Sequence, residues 1–253
     1  MRTLAHFFGV AVVFVCALYL GASTWSINKS NDNDVAATIQ APTVTIKVQP
    51  NAPMLISLSQ SDFRDVYSPQ LYFIVTNTSS KTIRAYALRH DVTYGKAKSS
   101  GQDLYVSASK NSHLKPGQSA SINIGEDTQY GDTVSAVLVS LDFVEFASGD
   151  TWGPDRFKTS DRLSGQRNGV RAAGRHLLEI LKARGPLAVV EAVKGDSFSI
   201  TPPSNHSPEW IEGFQEGLTI IRERVKHTYE NGSVADIEST LRRPLDASGR
   251  FLK

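Results

Sequence analysis

The sequence predicts an α+β chain built from segregated parts, an antiparallel β-sandwich followed by a small helical domain, behind an N-terminal apolar helix. Three observations lead there. Residues 43–154 place apolar side chains at a spacing of two, broken by clusters of turn-forming residues. From about Thr159 the spacing changes to that of helices, with caps and stops at its ends. Residues 4–22 hold no charge at all.

The apolar run comes first in the chain. Val10 to Leu20 is almost wholly apolar, Arg2 and the amino terminus precede it, and Lys29 is the next charge. A positive end retained on the cytoplasmic side sends the remainder outward. At about 1.5 Å per residue the run reaches roughly 28 Å, enough to cross a bilayer core. Two expectations stay open, an uncleaved transmembrane anchor and a cleaved signal peptide. Gly21, Ala22 and Ser23 supply the small residues of a cleavage site, although Leu20 fits the pattern poorly. A core helix is disfavoured, because the run has no polar face. Val13, Phe14 and Val15 before Cys16 do not fit a lipid-attachment sequence. Cys16 is the single cysteine, so the chain beyond it has no disulfide framework and no thiolate zinc cluster.

Residues 23–42 are polar, centred on Asn28-Lys-Ser-Asn-Asp-Asn-Asp34, and read as a flexible linker rather than a calcium loop on Asp32 and Asp34. In residues 43–154, Val44, Ile46 and Val48 alternate with polar neighbours, as do Leu104, Val106 and Ala108, and Ala120, Ile122 and Ile124. Leu71 to Thr76 is apolar on both faces, which predicts a central strand. About seven strands are expected. In Val134–Phe146 the inward set is Val137, Val139, Leu141 and Phe143. The phase then shifts to Val144 and Phe146, with Asp142 and Glu145 outward, so a β-bulge is expected near Phe143–Val144. Trp152 is expected over the sandwich edge.

The turn Asn77-Thr-Ser-Ser80, the segment Leu114-Lys-Pro-Gly-Gln118 and the hairpin Val144-Glu-Phe-Ala-Ser-Gly-Asp-Thr-Trp-Gly153 together resemble the uncharacterised immunoglobulin-like modules of bacterial exported proteins. The resemblance is architectural and covers under half the chain. It implies an immunoglobulin-like sandwich used for adhesion, binding, spacing or assembly, and no reaction.

Residues 155–253 form the helical domain. A first helix runs from Asp161 to Arg184, capped by Ser160 or Asp161 and stopped at Gly185-Pro186. A short one spans Pro186–Lys194. Ser207 caps a long helix from Pro208 to Glu230, and Ser233 with Asp236 opens a last helix to about Arg243, leaving a frayed tail from Asp246.

Two charged stripes are the candidate partner-binding residues. Arg167, Arg171, Arg175 and Lys182 share one shoulder of the first helix, within residues 156–184, where eight basic residues face two acidic ones. Glu212, Glu216 and Glu223, with Glu209 and Glu230, lie opposite the apolar face of the third. That geometry favours pairing with a second copy or a protein partner over pairing inside the bundle, against the plain alternative of a solvated surface. Anionic lipid headgroups or acidic polymers are weaker candidates. Nucleic acid is not expected, since the chain carries 27 basic residues against 25 acidic and faces outward.

Signatures of catalysis are sparse. The six histidines His6, His90, His113, His176, His206 and His227 show no metal spacing, and no phosphate-binding glycine loop or nucleophile elbow occurs. His90 and Asp91 are neighbours on opposite faces of a strand. Glu126, Asp127 and Asp132 crowd one loop that could take calcium. No catalytic, cofactor-binding or metal residue is assigned, and no cofactor is expected. The leading expectation is a membrane-anchored or exported envelope protein that binds or spaces something without catalysis. The rival is an enzyme whose site is assembled where the sandwich meets the helices, from His90 or His113 and loop carboxylates.

Overall fold

The computed structural model describes residues 41–62, 70–107, 112–125, 133–195 and 198–242. The apolar run, most of the linker, the Glu126, Asp127 and Asp132 loop and the tail from Asp246 lie outside them.

Period-two alternation produces eight strands among the described residues: β1 (Thr43–Lys47), β2 (Met54–Asp62), β3 (Gln70–Asn77), β4 (Ile83–Tyr94), β5 (Ala97–Val106), β6 (Ser119–Gly125), β7 (Val134–Phe146) and β8 (Thr151–Trp152). They form two sheets. The larger has the order β1-β7-β4-β5, with β8 on β7, and the smaller the order β2-β3-β6. Pairing is antiparallel except that β1 runs parallel to β7, with Val44 beside Val137 and Ile46 beside Val139. An all-antiparallel arrangement does not hold here, because β1 reaches β7 from far away in the chain and no hairpin dictates its direction.

The sheets share one apolar core. Leu71, Phe73, Val75 and Ile124 of the smaller sheet join Tyr86, Leu88, Val92, Val137, Val139 and Leu141 of the larger. Strand β3 is central, as expected, yet only one of its faces is buried: Tyr72 is exposed and Ile74 half-buried. Strand β4 shows no clean alternation in sequence but is the middle of the larger sheet. Its polar residues are tolerated because each finds a partner: Arg84 meets Glu145, Arg89 meets Asp91, and His90 Nδ1 lies 3.1 Å from Asp103.

The turn Asn77-Thr-Ser-Ser80 and the segment Leu114-Lys-Pro-Gly-Gln118 meet at a single buried amide. Asn77 Nδ2 donates to the Lys81 and Leu114 carbonyls, both at 2.9 Å, while its Oδ1 accepts from Ser79 N at 3.0 Å. Its own N–H donates to Gln118 O and its carbonyl accepts from Gly117 N. Those residues therefore serve as a clasp between loops.

The bulge in β7 lies one residue before its expected place. Leu88 pairs Leu141 and Ala87 pairs Phe143, so Asp142 is the extra residue. Leu141, Val144 and Phe146 point into the shared core as expected. Phe143 does not: the phase has already changed, and it joins Ala85, Ala87 and Leu163 in a second cluster on the other side of the sheet.

Helix α1 (Thr159–Arg184) covers that side with its first turns. It begins earlier than expected and takes its cap from Asp155, whose carboxylate accepts from Thr159 N at 2.6 Å and Ser160 N at 3.2 Å. Asp161, expected as a cap, instead accepts from the Ser207 hydroxyl at 2.8 Å. Helices α2 (Pro186–Lys194), α3 (Pro208–Asn231) and α4 (Val234–Arg242) follow. Ser207 caps α3 by accepting from Trp210 N. Val170, Leu177 and Leu181 pack on Trp210, Phe214, Leu218, Ile221 and Val225, with α2 and α4 closing the cluster.

Helices α1 and α3 run in the same direction in backbone contact. Gly165 and Gly169 face the Trp210 and Phe214 carbonyls, while Gly213 and Gly217 face those of Arg162 and Gln166. A Cβ on Gly169 would stand 2.1 Å from Phe214 O, whereas one on Gly174 would meet nothing within 4 Å. Gly169→Ala should therefore destabilise the protein by about 2–3 kcal/mol through overpacking, while Gly174→Ala should stabilise it by about 0.5–1 kcal/mol through helix propensity. Chemical denaturation of the two variants beside the parent checks both signs.

Candidate functional site

The expected outward residues of β7 are outward from the shared core but not in water. Asp142 is 1% exposed and Glu145 5%, because α1 and the loop before it lie on them. Glu145 is held between two guanidinium groups. Arg167 of α1 forks onto both carboxylate oxygens, with Nη1 at 2.9 Å from Oε1, and Arg84 of β4 reaches Oε1 from the other side. Burial pushes the Glu145 carboxyl up, but hydrogen bonds from Arg84 and Arg167 and their charges outweigh it and hold the group below its ordinary value. Among the described residues, the Nε atoms of Arg84 and Arg167 are buried without a hydrogen-bond partner. This triad ties the helix to the sheet beside the apolar cluster of Phe143, Ala85, Ala87 and Leu163.

Beside the junction the bulge builds a recess of about 460 Å³. Its floor is Ser140 and Asp142 of β7. One wall is the β1 edge with Lys47 and Gln49, and the other is Trp152 with the loop to Arg156. The loop is tied to the bulge. Asp142 O accepts from Asp155 N at 3.0 Å, and its carboxylate accepts from Arg156 N at 2.9 Å. Gly153 has φ 120°, and a Cβ there would come within 2.2 Å of Asp142 O, so this contact needs glycine. Gln49 Nε2 donates to Leu141 O, tying the opposite wall. Burial raises the Asp142 carboxyl above its ordinary value, and the backbone donors only partly offset that.

The charged stripes divide. Arg171, Arg175 and Lys182 are exposed, as are Glu212 and Glu223. Arg167 is not on a free shoulder, since it is buried against Glu145. The expectation that the acidic stripe avoids the first helix also fails in part. Glu216 is bound by Arg162 of α1, and Glu212 lies 3.4 Å from the same guanidinium. The glycine contact brings the two helices so close that these side chains meet across its edge. A second groove, of about 350 Å³, lies where Arg175 and Asn168 of α1 face His206 and Trp210. There the imidazole stacks on the indole at 3.7 Å.

The histidines do not converge. His90 faces the shared core beside Asp103, His176 and His227 are exposed, and His113 lies in the turn before Leu114. Asp91 pairs with Arg89 and Ser100. Among the described residues no group of three or more His, Cys, Asp or Glu could hold a metal ion. No helix among them is long and apolar enough to cross a membrane, and residues 4–22 lie outside them.

No protein-family model matches this sequence, and no curated protein matches it. Among solved structures, it is similar to a hypothetical protein from Peptoclostridium difficile 630 at 12% identity and a TM-score of 0.31, over 44% of this chain and 91% of that one. The ApaA protein from Bordetella pertussis aligns at 14% identity and a TM-score of 0.28, over 39% of this chain and 84% of its own. A β-glucosidase from Kluyveromyces marxianus aligns at 12% identity and a TM-score of 0.24, over 37% and 14% respectively. These likenesses carry no functional argument.

The recess residues were not singled out by sequence, because Lys47, Gln49, Ser140 and Arg156 are common surface types scattered over more than a hundred positions. Asp142, a carboxylate inside an apolar strand, and Trp152, in the hairpin after it, are the two that stand out in the sequence. The triad makes a sharper prediction. Glu145→Gln leaves two buried cations without their counter-charge and should cost about 3–5 kcal/mol. Because the folded Glu145 carboxyl lies below its unfolded value of 4.5, its contribution is present above that pH and is lost as the pH falls through the folded value. Urea titrations between pH 3 and 7 should show the parent losing stability on the acid side, and Glu145→Gln losing less there.

Proposed function

We propose that this chain is an envelope protein, held at the membrane or exported through residues 4–22, whose folded part binds or spaces a partner without catalysis. The uncharged apolar run ahead of a polar linker carries the reading, because it puts the folded part on the far side of the membrane. We also read the two sheets as a sandwich of the broadly immunoglobulin-like kind. Support comes from the single core that both sheets face. The order β1-β7-β4-β5 with β2-β3-β6 differs from the ABED and CFG pairing of constant-type domains, so the kinship lies in the layering.

The partner-binding surface consists of Arg171, Arg175 and Lys182 on α1 with Glu212 and Glu223 on α3. Their exposure supports this role, whereas Arg167 and Glu216 are half-buried in their ion pairs and are left out of it; Glu212 stays exposed although it lies beside Arg162. A protein partner or a second copy of the chain fits opposite-sign stripes on adjoining helices.

Fractionation of cells expressing the full chain tests the location. The protein should stay in the membrane pellet through an alkaline wash if anchored, or appear outside the cytoplasm at a reduced mass if cleaved. Recovery of the full-length chain in the cytosol would overturn the reading. Reversing Arg171, Arg175 and Lys182 to Glu together should abolish self-association or crosslinked partner capture on membranes at low salt, while leaving the melting temperature within about 2 °C.

A further inference from the structure

We propose that the recess beside the β7 bulge is a binding site for an acidic sugar, a pyranose ring that carries a carboxylate. The charged helix faces play no part in this, and the proposal stands or falls separately from them. Three features of the recess point to the ligand. First, it has a positive mouth. Lys47 and Arg156 are exposed on opposite walls, and the Arg156 charge also acts on the Asp142 and Asp91 carboxylates. The acidic group on the floor, Asp142, is 1% exposed and engaged by the Arg156 N–H, so the mouth presents cations to solvent. An anion is what such a mouth concentrates.

Second, one wall is apolar and flat. Trp152 is half-buried: it packs on the shared core while still lining the recess, with Pro154 next to it. An indole that keeps part of its ring at a polar cavity offers a platform for the C–H face of a ring. A bare inorganic anion would gain nothing from it.

Third, the remaining lining suits hydroxyl groups. Gln49 lines the recess and spends an amide N–H on the Leu141 carbonyl, which leaves its Oε1 acceptor capacity for a ligand. Ser140, nearly buried on the floor, both donates and accepts. Acceptors placed beside two cations select a ligand that donates hydrogen bonds as well as carrying negative charge, which describes a polyhydroxylated acid. The volume, about 460 Å³, falls within the usual span of small-molecule sites and admits one or two sugar rings.

The walls are also prearranged. The Asp155 and Arg156 amides, Gly153 and Gln49 are all tied to the one-residue bulge. Little of the binding free energy is then spent on ordering the loop.

Calorimetric titration of the full chain in detergent micelles tests this with three probes: sodium glucuronate, glucose and inorganic phosphate. Glucuronate should bind saturably with a dissociation constant on the order of 1 mM, at least about tenfold tighter than either of the others. Lys47→Ala and Arg156→Ala should each weaken it about five- to tenfold, the range of a charge-assisted hydrogen bond in a half-open site. Trp152→Leu should weaken it comparably. All three variants should keep the parent's circular dichroism and cooperative melt. Equal binding of phosphate would make this a plain anion site and overturn the proposal. Equal binding of glucose, no saturation by glucuronate, or indifference to Lys47 and Arg156 would overturn it as well. If Trp152→Leu unfolds the chain, saturation-transfer NMR on the parent decides. Contact to the ring protons of glucuronate from the Trp152 indole supports the proposal, and its absence refutes it.

Discussion

One additional residue in β7 organises the molecule. By inserting Asp142 between Leu141 and Phe143, the strand exchanges its faces midway, so that an aromatic ring and a carboxylate emerge on the side away from the shared core. Neither is tolerable in isolation, since an exposed Phe143 loses its burial and a covered Glu145 needs counter-charge. Both are resolved by α1, which brings Leu163 to the ring and Arg167 to the carboxylate. The bulge's displaced Asp142 carbonyl and its carboxylate find their donors in the loop that leads to the same helix, at the Asp155 and Arg156 amides respectively. Strand, loop and helix are thus fixed by a single irregularity, and the recess is the space left on its open side.

The helical part rests on a different constraint. Four glycines remove the side chains that would hold α1 and α3 apart, and the backbones come into contact. Glycine costs helix propensity, about 1 kcal/mol at each interior position, and the close approach offsets it with dense contact and with the ion pairs of Arg162 along the rim. The contact also governs surface charge. Helices this near draw Glu212 and Glu216 toward Arg162, while Arg171, Arg175 and Lys182, farther along the shoulder, stay exposed.

How much of this is legible in the sequence depends on which residues speak by pattern. The helices do: their apolar faces, the Ser207 cap and the stop at Gly185-Pro186 follow from local rules, and the structure has them. The inward residues Val137, Val139, Leu141, Val144 and Phe146 also follow from alternation. Strand β4 escapes it, because Arg84, Arg89, His90 and Asp91 look like surface until their cross-strand partners are known. Asp155 escapes as the cap of α1 because it acts from four residues upstream, through a turn that local spacing does not reveal. The recess is invisible for a stronger reason: Lys47, Ser140 and Arg156 become neighbours only through the parallel pairing of β1 with β7, and a pattern within one segment carries no information about pairing.

Helix α1 belongs to two cores at once. Its first turns are buried against the sheet through Leu163 and Arg167, and its later turns form the bundle through Val170, Leu177 and Leu181. At 26 residues it is a rod of about 39 Å. Such a rod leaves no hinge between strands and helices. Bending there would have to break the helix itself, which ties the stability of the two cores to one another. The far end of the rod and the bulge in β7 are therefore the two ends of a single mechanical element.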